Sequence, residues 1–226
     1  PSYDPNTLAS TDLTEATASW KALQASTDRP MANRASREIY PPGSTFKLVT
    51  AAAALDKGLR PTTQLDSPSS FTLPQSSVVL TNEVDCGGTT TTLQHALEIS
   101  CNTAFAKLGL TIGADDLRTQ AQRFGFDSAV GGDLNAVASK FPAAPDAPQT
   151  ALSSIGQFDV AASPLQMAMV AAGIANDGTV MEPYLVQEVR SPSLALLSSH
   201  QPTQLSEAMT ASNARFLQDM MVGVVT

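Results

Sequence analysis

The sequence predicts an α+β fold in which helices dominate and strands are short and few. Most periodic segments place apolar residues at helical spacing and carry helix start signals, such as Ser163-Pro164 ahead of a long apolar run. β-Favouring runs stand out at Ser77–Leu80 and Tyr184–Val189, each bounded by Pro, Asn or Ser. With 226 residues and 42% hydrophobic content, the chain is long enough for one sizeable core.

The first clear helix signal follows Pro41-Pro42-Gly43, a stretch that cannot itself continue a helix. The next segment, Ser44–Lys57, is rich in Ala and is followed by Gly58, a typical C-terminal stop. Ser44 is therefore predicted to open a helix.

The remaining helices are predicted from caps and apolar periodicity. Thr91 and Gln94 have the spacing of a capping box, which predicts a helix from Thr91 or Thr92 to about Ile99. Further helices are predicted from Asn102 toward Leu108, over Ala114–Phe124, from Ser163 to just before Asn176, and from near Thr210. The absence of internal repeats and linker-like segments in the sequence indicates a single domain, over residues 1–226.

Charge and composition exclude several classes of partner. The formal net charge of -8 argues against nucleic acid or an anionic membrane surface as the main partner. The longest apolar run, Met167–Ala175, is far shorter than the roughly 20 residues that a bilayer requires. With two His and two Cys, none of them at metal-binding spacing, the sequence predicts no metal site.

The sharpest chemical feature is Ser44-Thr45-Phe46-Lys47, an S-x-x-K at a predicted helix start. Three residues are nearly one helical turn, so Ser44 and Lys47 project to the same side. A serine hydroxyl becomes a good nucleophile when a base removes its proton, and a desolvated lysine can populate the neutral form that this requires. The spacing therefore predicts an activated serine at Ser44.

A second feature, Ser100-Cys101-Asn102, lies where one predicted helix ends and another begins. Two polar side chains can point from such a turn into a cleft, Ser100 to relay a proton and Asn102 to donate to a substrate carbonyl. The alternative is a helix boundary that Ser and Asn merely cap.

The two cysteines, Cys86 and Cys101, enclose 14 residues. They would remain reduced in a cytosolic protein, whereas outside the cytosol they could form a disulfide worth about 3 kcal/mol. Their spacing leaves both states open.

Together, the two motifs resemble the serine acyl-transferase set of penicillin-binding proteins and β-lactamases, whose motifs are S-x-x-K and S-D-N. Further segments are similar to class B penicillin-binding proteins of the actinobacterial type: PSYDPN at the start, NRA before YPPGSTFK, SCNTAF, SIGQ, SPLQMA and NDGTVMEPYLV. This resemblance covers most of the chain. It departs from S-D-N at Cys101, which stands where that motif has Asp.

The resemblance implies a D,D-transpeptidase that cross-links peptidoglycan stem peptides ending in D-Ala-D-Ala and is acylated by β-lactams. It implies catalytic roles for Ser44 as nucleophile, Lys47 as general base, Ser100 as proton relay and Asn102 as substrate-orienting donor. It implies no metal or organic cofactor, cell-wall synthesis proteins as partners, and a place at the outer face of the bacterial plasma membrane, with the membrane anchor outside this chain.

The fold implied is that of penicillin-binding proteins and serine β-lactamases. The third family motif, K-T-G, is absent from the 226 residues and would follow the helix near Thr210. The resemblance therefore predicts a partial domain that holds mainly the helical part, with the central antiparallel sheet largely missing and doubtful activity as a fragment. The extracytoplasmic location also favours a disulfide between Cys86 and Cys101, which would anchor the second motif from behind.

Three alternatives remain. A serine β-lactamase shares both motifs, but an E-x-x-x-N element that would activate water is missing between Asn102 and Ser163. A penicillin-sensing module would be acylated once and would signal. A degenerate structural relative is disfavoured by the intact Ser44, Lys47, Ser100 and Asn102.

Overall fold

The computed structural model describes residues 2–130 and 132–225, which form nine α-helices and eight short strands. The helices are α1 Leu13–Ala25, α2 Arg34–Arg37, α3 Lys47–Asp56, α4 Leu93–Glu98, α5 Asn102–Ile112, α6 Ala114–Arg123, α7 Ala147–Ser153, α8 Pro164–Ala175 and α9 Ala211–Val222. The strands are β1 Gln64–Asp66, β2 Ser70–Thr72, β3 Val79–Thr81, β4 Thr90–Thr92, β5 Thr179–Met181, β6 Glu188–Arg190, β7 Leu196–Ser199 and β8 Gln204–Glu207. Within the described ranges, none of the helices is both long and apolar enough to cross a bilayer.

Helix α3 is the centre of the core, with every residue from Val49 to Leu55 buried. It contacts α4, α5, α6 and α9, and the four small side chains of Ala51–Ala54 allow these neighbours to approach closely. The predicted start is one turn early: Ser44 lies in a 3-10 turn, Gly43–Phe46, and the α-helix begins at Lys47. Such tight turns commonly lead into α-helices.

Helix α4 begins at Leu93, close to the predicted start, and Thr92 is its N-cap: the Thr92 side chain accepts a hydrogen bond from the backbone N–H of His95 at 3.1 Å. The capping box predicted from Thr91 and Gln94 is wrong. Thr91 belongs to β4, which pairs with β1, and the side chain of Gln94 donates to Glu98 within the helix.

The helix starts predicted at Ser163 and Thr210 are confirmed. Ser163 caps α8 by accepting from the N–H of Gln166, with Pro164 at the first helical position. Thr210 caps α9 by accepting from the N–H of Asn213.

The strands pair antiparallel, as β1 with β4, β2 with β3, β5 with β8 and β6 with β7. The strand predicted at Ser77–Leu80 lies slightly later, as β3, and the one predicted at Tyr184–Val189 is largely wrong. The N–H groups of Leu185 and Val186 donate to the carboxylate of Asp133 instead of to a neighbouring strand, so β6 begins only at Glu188. In the part of the chain that the structure describes, helices are thus combined with short two-stranded sheets, as predicted for an α+β fold.

Candidate active site

Ser44 is exposed on the 3-10 turn that precedes α3. Gly43 adopts a φ of 56°, and its N–H donates to the carbonyl of Gly156 at 3.0 Å. A Cβ added at Gly156 would overlap the carbonyl oxygen of Gly43, so both glycines are required for this approach. The contact fixes the backbone that presents the Ser44 hydroxyl.

Lys47 is fully buried and lies one turn after Ser44. Its Nζ atom is 3.2 Å from Ser44 Oγ and 2.8 Å from Ser100 Oγ. It is also 2.7 Å from the carbonyl oxygen of Ser100 and 2.7 Å from Asn102 Oδ1. The four residues predicted from the two motifs therefore meet around one nitrogen atom.

The four oxygens around Nζ differ in what they can do. The Ser100 carbonyl and Asn102 Oδ1 are pure acceptors, whereas the hydroxyls of Ser44 and Ser100 can donate or accept. A neutral amine has two N–H groups and one lone pair. If its two N–H groups bind the two pure acceptors, the lone pair faces the hydroxyls, which is the orientation that a general base for Ser44 requires.

Burial lowers the pKa of Lys47 from 10.5 to about 8, while the negative charge of Glu83 acts in the opposite direction. An ammonium loses strong hydration when it is buried, so the neutral amine is favoured. At pH 8 about half of the molecules would carry the neutral base.

Ser100 and Asn102 stand on a sharp corner between α4 and α5. The N–H of Cys101 donates to the Ala96 carbonyl at 2.8 Å and that of Ser100 to the Leu97 carbonyl at 3.1 Å, which is the hydrogen-bond pattern of a Schellman motif. Glycine usually occupies its left-handed position, yet here Ser100 does so with a φ of 60°. Strained backbone of this kind at a non-glycine residue is common in functional sites.

The disulfide predicted between Cys86 and Cys101 is confirmed, with their Cα atoms 5.8 Å apart. Both cysteines are buried, and Cys101 faces the interior while its two neighbours face the cleft. The disulfide therefore anchors the corner between α4 and α5 on its buried side, opposite the cleft.

Asn102 is also supported by Thr81 and Asn82, which neither sequence motif indicated. Its Nδ2 atom donates to the carbonyl oxygen of Thr81 at 3.3 Å, and the adjacent Asn82 binds the start of α5 through Thr103. The available signal was a polar Thr-Asn pair directly after the predicted strand at Ser77–Leu80.

A cavity of about 310 Å³ opens above Ser44, Lys47 and Ser100. Its other side is mainly apolar and consists of Leu48, Leu97, Met221, Val224 and Val225. This arrangement places a reactive polar group against an apolar wall, as is usual in small-molecule sites.

His95 does not belong to this cluster. His95 is exposed and its ring contacts Glu98 at 3.3 Å, so the structure gives it no place beside Ser44. In residues 2–130 and 132–225, His, Cys, Asp and Glu side chains do not gather in any group of three that could hold a metal ion.

Comparison with known proteins gives a consistent set of relatives. The sequence model of the family described as the penicillin binding protein transpeptidase domain matches residues 1–226. The peptidoglycan D,D-transpeptidase PbpA of Mycolicibacterium smegmatis is 47% identical over 98% of this chain and 46% of its own length.

Solved structures are similar over the same extent. Penicillin-binding protein A from M. tuberculosis, as an imipenem acyl-enzyme complex, has a TM-score of 0.93 and 42% identity over 99% of this chain and 52% of its own. A D,D-transpeptidase domain from Eggerthella lenta has a TM-score of 0.83 and 32% identity over 92% of this chain. The chain thus spans about half the length of these relatives.

Proposed function

Since this chain belongs to the penicillin-binding protein transpeptidase family, we propose that it is part of a serine D,D-transpeptidase that cross-links peptidoglycan stem peptides. The observation that carries the proposal is the meeting of Ser44, Ser100 and Asn102 around the buried amine of Lys47. The names of its relatives support the same reaction and its inhibition by β-lactams.

In the first half of the reaction, Ser44 Oγ attacks the carbonyl carbon of the penultimate D-alanine. Its proton passes to the lone pair of Lys47 Nζ as the new C–O bond forms. The carbonyl oxygen becomes an oxyanion near the start of α3, where the N–H of Ser44 and the helix dipole favour negative charge.

Collapse of this intermediate breaks the C–N bond to the terminal D-alanine. The leaving nitrogen takes the proton from Lys47 through the hydroxyl of Ser100, which is 2.8 Å from Nζ. An acyl ester on Ser44 and a released D-alanine result, and Lys47 is neutral again.

In the second half, an amine of a neighbouring strand attacks the ester carbonyl and loses a proton to Lys47. The ester C–O bond breaks, and Ser44 Oγ recovers that proton. Asn102 holds Lys47 through its Oδ1 atom, and the amide nitrogen, which has two hydrogens, can offer one to a substrate carbonyl in addition to its bond with Thr81.

The cellular setting follows from the same proposal. The enzyme would act on the outer face of the plasma membrane, together with other cell-wall synthesis proteins, and residues 1–226 would form part of one transpeptidase domain. The disulfide between Cys86 and Cys101 supports an oxidising location.

The proposal is tested by the replacement of Ser44 by Ala in the full-length protein. Covalent labelling by a fluorescent penicillin is expected to disappear, because the substitution removes the oxygen that forms the bond to the penicillin. Ser193→Ala, a change at an exposed serine between β6 and β7, is the matched control and should label like the wild type. Equal labelling of the Ser44→Ala variant would contradict the proposal.

The fate of the labelled enzyme separates the alternatives. A transpeptidase should release the penicillin label slowly and should process a D-Ala-D-Ala thioester. Rapid release of label would indicate a β-lactamase, and stable labelling with no thioester turnover would indicate a sensing module.

A further inference from the structure

Helix α5 begins in the middle of the second motif, with Cys101 at its N-cap and Asn102 and Thr103 as its first two residues. An Asp at this N-cap position, as the S-D-N motif has, would be among the best capping residues, because its oxygen can accept from the second or third N–H of the helix. Here the side chain of Cys101 is committed to the disulfide. The helix therefore needs an acceptor from elsewhere in the chain.

Asn82 supplies this acceptor from a distant segment. Its Oδ1 atom accepts from the N–H of Thr103 at 2.9 Å, as an N-cap side chain would. Its Nδ2 atom donates to the Pro68 carbonyl at 3.1 Å and to Thr103 Oγ1 at 3.0 Å, and Thr103 is fully buried. These three bonds fix both the rotamer and the amide orientation of Asn82.

The residue before Asn82 acts on the same corner. The carbonyl of Thr81 accepts from Asn102 Nδ2 at 3.3 Å, while Asn102 Oδ1 accepts from Lys47 at 2.7 Å. Asn82 thus holds the backbone at the start of α5, and its neighbour Thr81 holds the side chain of Asn102, which orients the Lys47 amine.

We propose that Asn82 is a positioning residue for the acylation of Ser44, acting as the N-cap that Cys101 cannot provide; this inference rests on the proposed function. Without Asn82, the Thr103 N–H loses its acceptor and the start of α5 shifts, while the Pro68 carbonyl keeps only the bond from the Thr103 hydroxyl. Asn102 then no longer holds one N–H of Lys47, so the lone pair of the amine is not directed at Ser44.

The first test compares Asn82→Ala with Ser163→Ala, which removes the cap of α8, a helix outside the cleft. In the full-length protein, the second-order rate constant for acylation by a fluorescent penicillin is expected to fall roughly 100-fold in Asn82→Ala, as for a misplaced catalytic group. It should stay at the wild-type value in Ser163→Ala, although both variants lower the melting temperature.

The outcomes separate this inference from the proposed function. If the wild-type protein is acylated and the Asn82→Ala variant is acylated at the same rate, the inference about Asn82 is overturned and the proposed function stands. A wild-type protein that no penicillin acylates would overturn the proposed function.

A second test moves the cap to its local position. Two variants are compared in a background that carries both Cys86→Ala and Asn82→Ala: one adds Cys101→Asp and the other adds Cys101→Ala. The rate constant for acylation is expected to be at least about tenfold higher with Cys101→Asp, because the Asp side chain can accept from the N–H of Thr103. Equal rates would overturn the capping role. In the disulfide-bonded protein, Asn82→Asp keeps an acceptor and should be acylated faster than Asn82→Leu, and equal rates there would also overturn it.

Discussion

At the scale of single residues, the environment of Lys47 decides whether its amine can act as a base. The side chain is fully buried, yet it has two pure acceptors and two hydroxyls within 3.2 Å, so its polar atom is well satisfied. Burial disfavours the charge, while the hydrogen bonds to oxygen keep the amine in place. The exposed Ser44 is therefore next to an amine whose orientation is already fixed by its hydrogen bonds.

This environment predicts the pH dependence of acylation. Because the pKa of Lys47 is lowered to about 8 and the neutral amine is the active form, the second-order rate constant with penicillin should rise about tenfold per pH unit up to pH 7. It should level off above about pH 9. Stopped-flow measurement of acylation between pH 6 and 10 checks this, with Ser193→Ala as a control for effects on the assay.

The opposite slope would contradict the assignment. If Lys47 acted as a charged hydrogen-bond donor, the rate would fall as the pH rises through about 8. A rate that does not change over the same pH range would show that Lys47 takes no part in proton transfer.

At the scale of elements, the site depends on two tight backbone features that carry its residues. One is the contact of Gly43 with Gly156, which sets the turn before α3, and the other is the corner at Ser100 between α4 and α5. The first joins the turn before α3 to the residues that follow α7, and the second sets the direction in which α5 leaves the end of α4. The four polar side chains converge because these two features are rigid.

Substitution of Gly156 by Ala should therefore reduce both stability and acylation. Its φ is 72°, and the added Cβ would overlap the Gly43 carbonyl. Gly58→Ala is a matched control, because Gly58 has a φ of 90° but nothing lies within 4 Å of an added Cβ. The Gly156→Ala variant should lose about 1–3 kcal/mol more than the control, as expected for overpacking, and thermal unfolding measures the difference.

Acylation provides the second readout for this pair of variants. Gly58→Ala should be acylated at the wild-type rate, whereas Gly156→Ala should be slower because the turn that carries Ser44 moves. Equal stability and equal rates in the two variants would show that the Gly43 contact does not constrain the site.

Local signals in the sequence predicted some of these elements well and others poorly. Ser163 and Thr210 are predictable because a capping side chain and its N–H partner are three residues apart. Helices α1 and α7 were not predicted: α1 is rich in Thr and Ala and has no strong apolar stripe, whereas α7 begins at a capping box of Asp146 and Gln149 that was overlooked in the sequence.

The site was predictable to the extent that its residues lie within short motifs. Ser44 and Lys47 share one helical turn, and Ser100 and Asn102 share one corner, so spacing alone indicated each pair. Asn82 and Gly156 act across long sequence separations, on Thr103 and Gly43 respectively. Such contacts depend on tertiary packing, which periodicity and propensity do not encode.

At the scale of the whole molecule, the cluster of polar side chains around Lys47 is anchored to the centre of the core. Lys47 is the first residue of α3, which packs against α4, α5, α6 and α9. Helices α4 and α5 also carry the second motif, so the same packing that stabilises the fold sets the distance from Lys47 to Ser100. The disulfide adds a covalent link between this core and the loop that contains Cys86.

Removal of this link should lower global stability. The two cysteines are separated by 15 residues, and in the chain-entropy model a closed loop of that size stabilises the folded state by about 3 kcal/mol. For a domain of this size, 1 kcal/mol corresponds to roughly 2–4 °C, so the double variant Cys86→Ala and Cys101→Ala should melt roughly 6–12 °C below the wild type. Thermal unfolding with and without reductant measures this: reductant should lower the melting temperature of the wild type toward that of the variant and leave the variant unchanged. Equal melting temperatures for the oxidised wild type and the variant would show that the loop is already restrained by its hydrogen bonds, with Asn82 and Thr81 then sufficient to hold the corner.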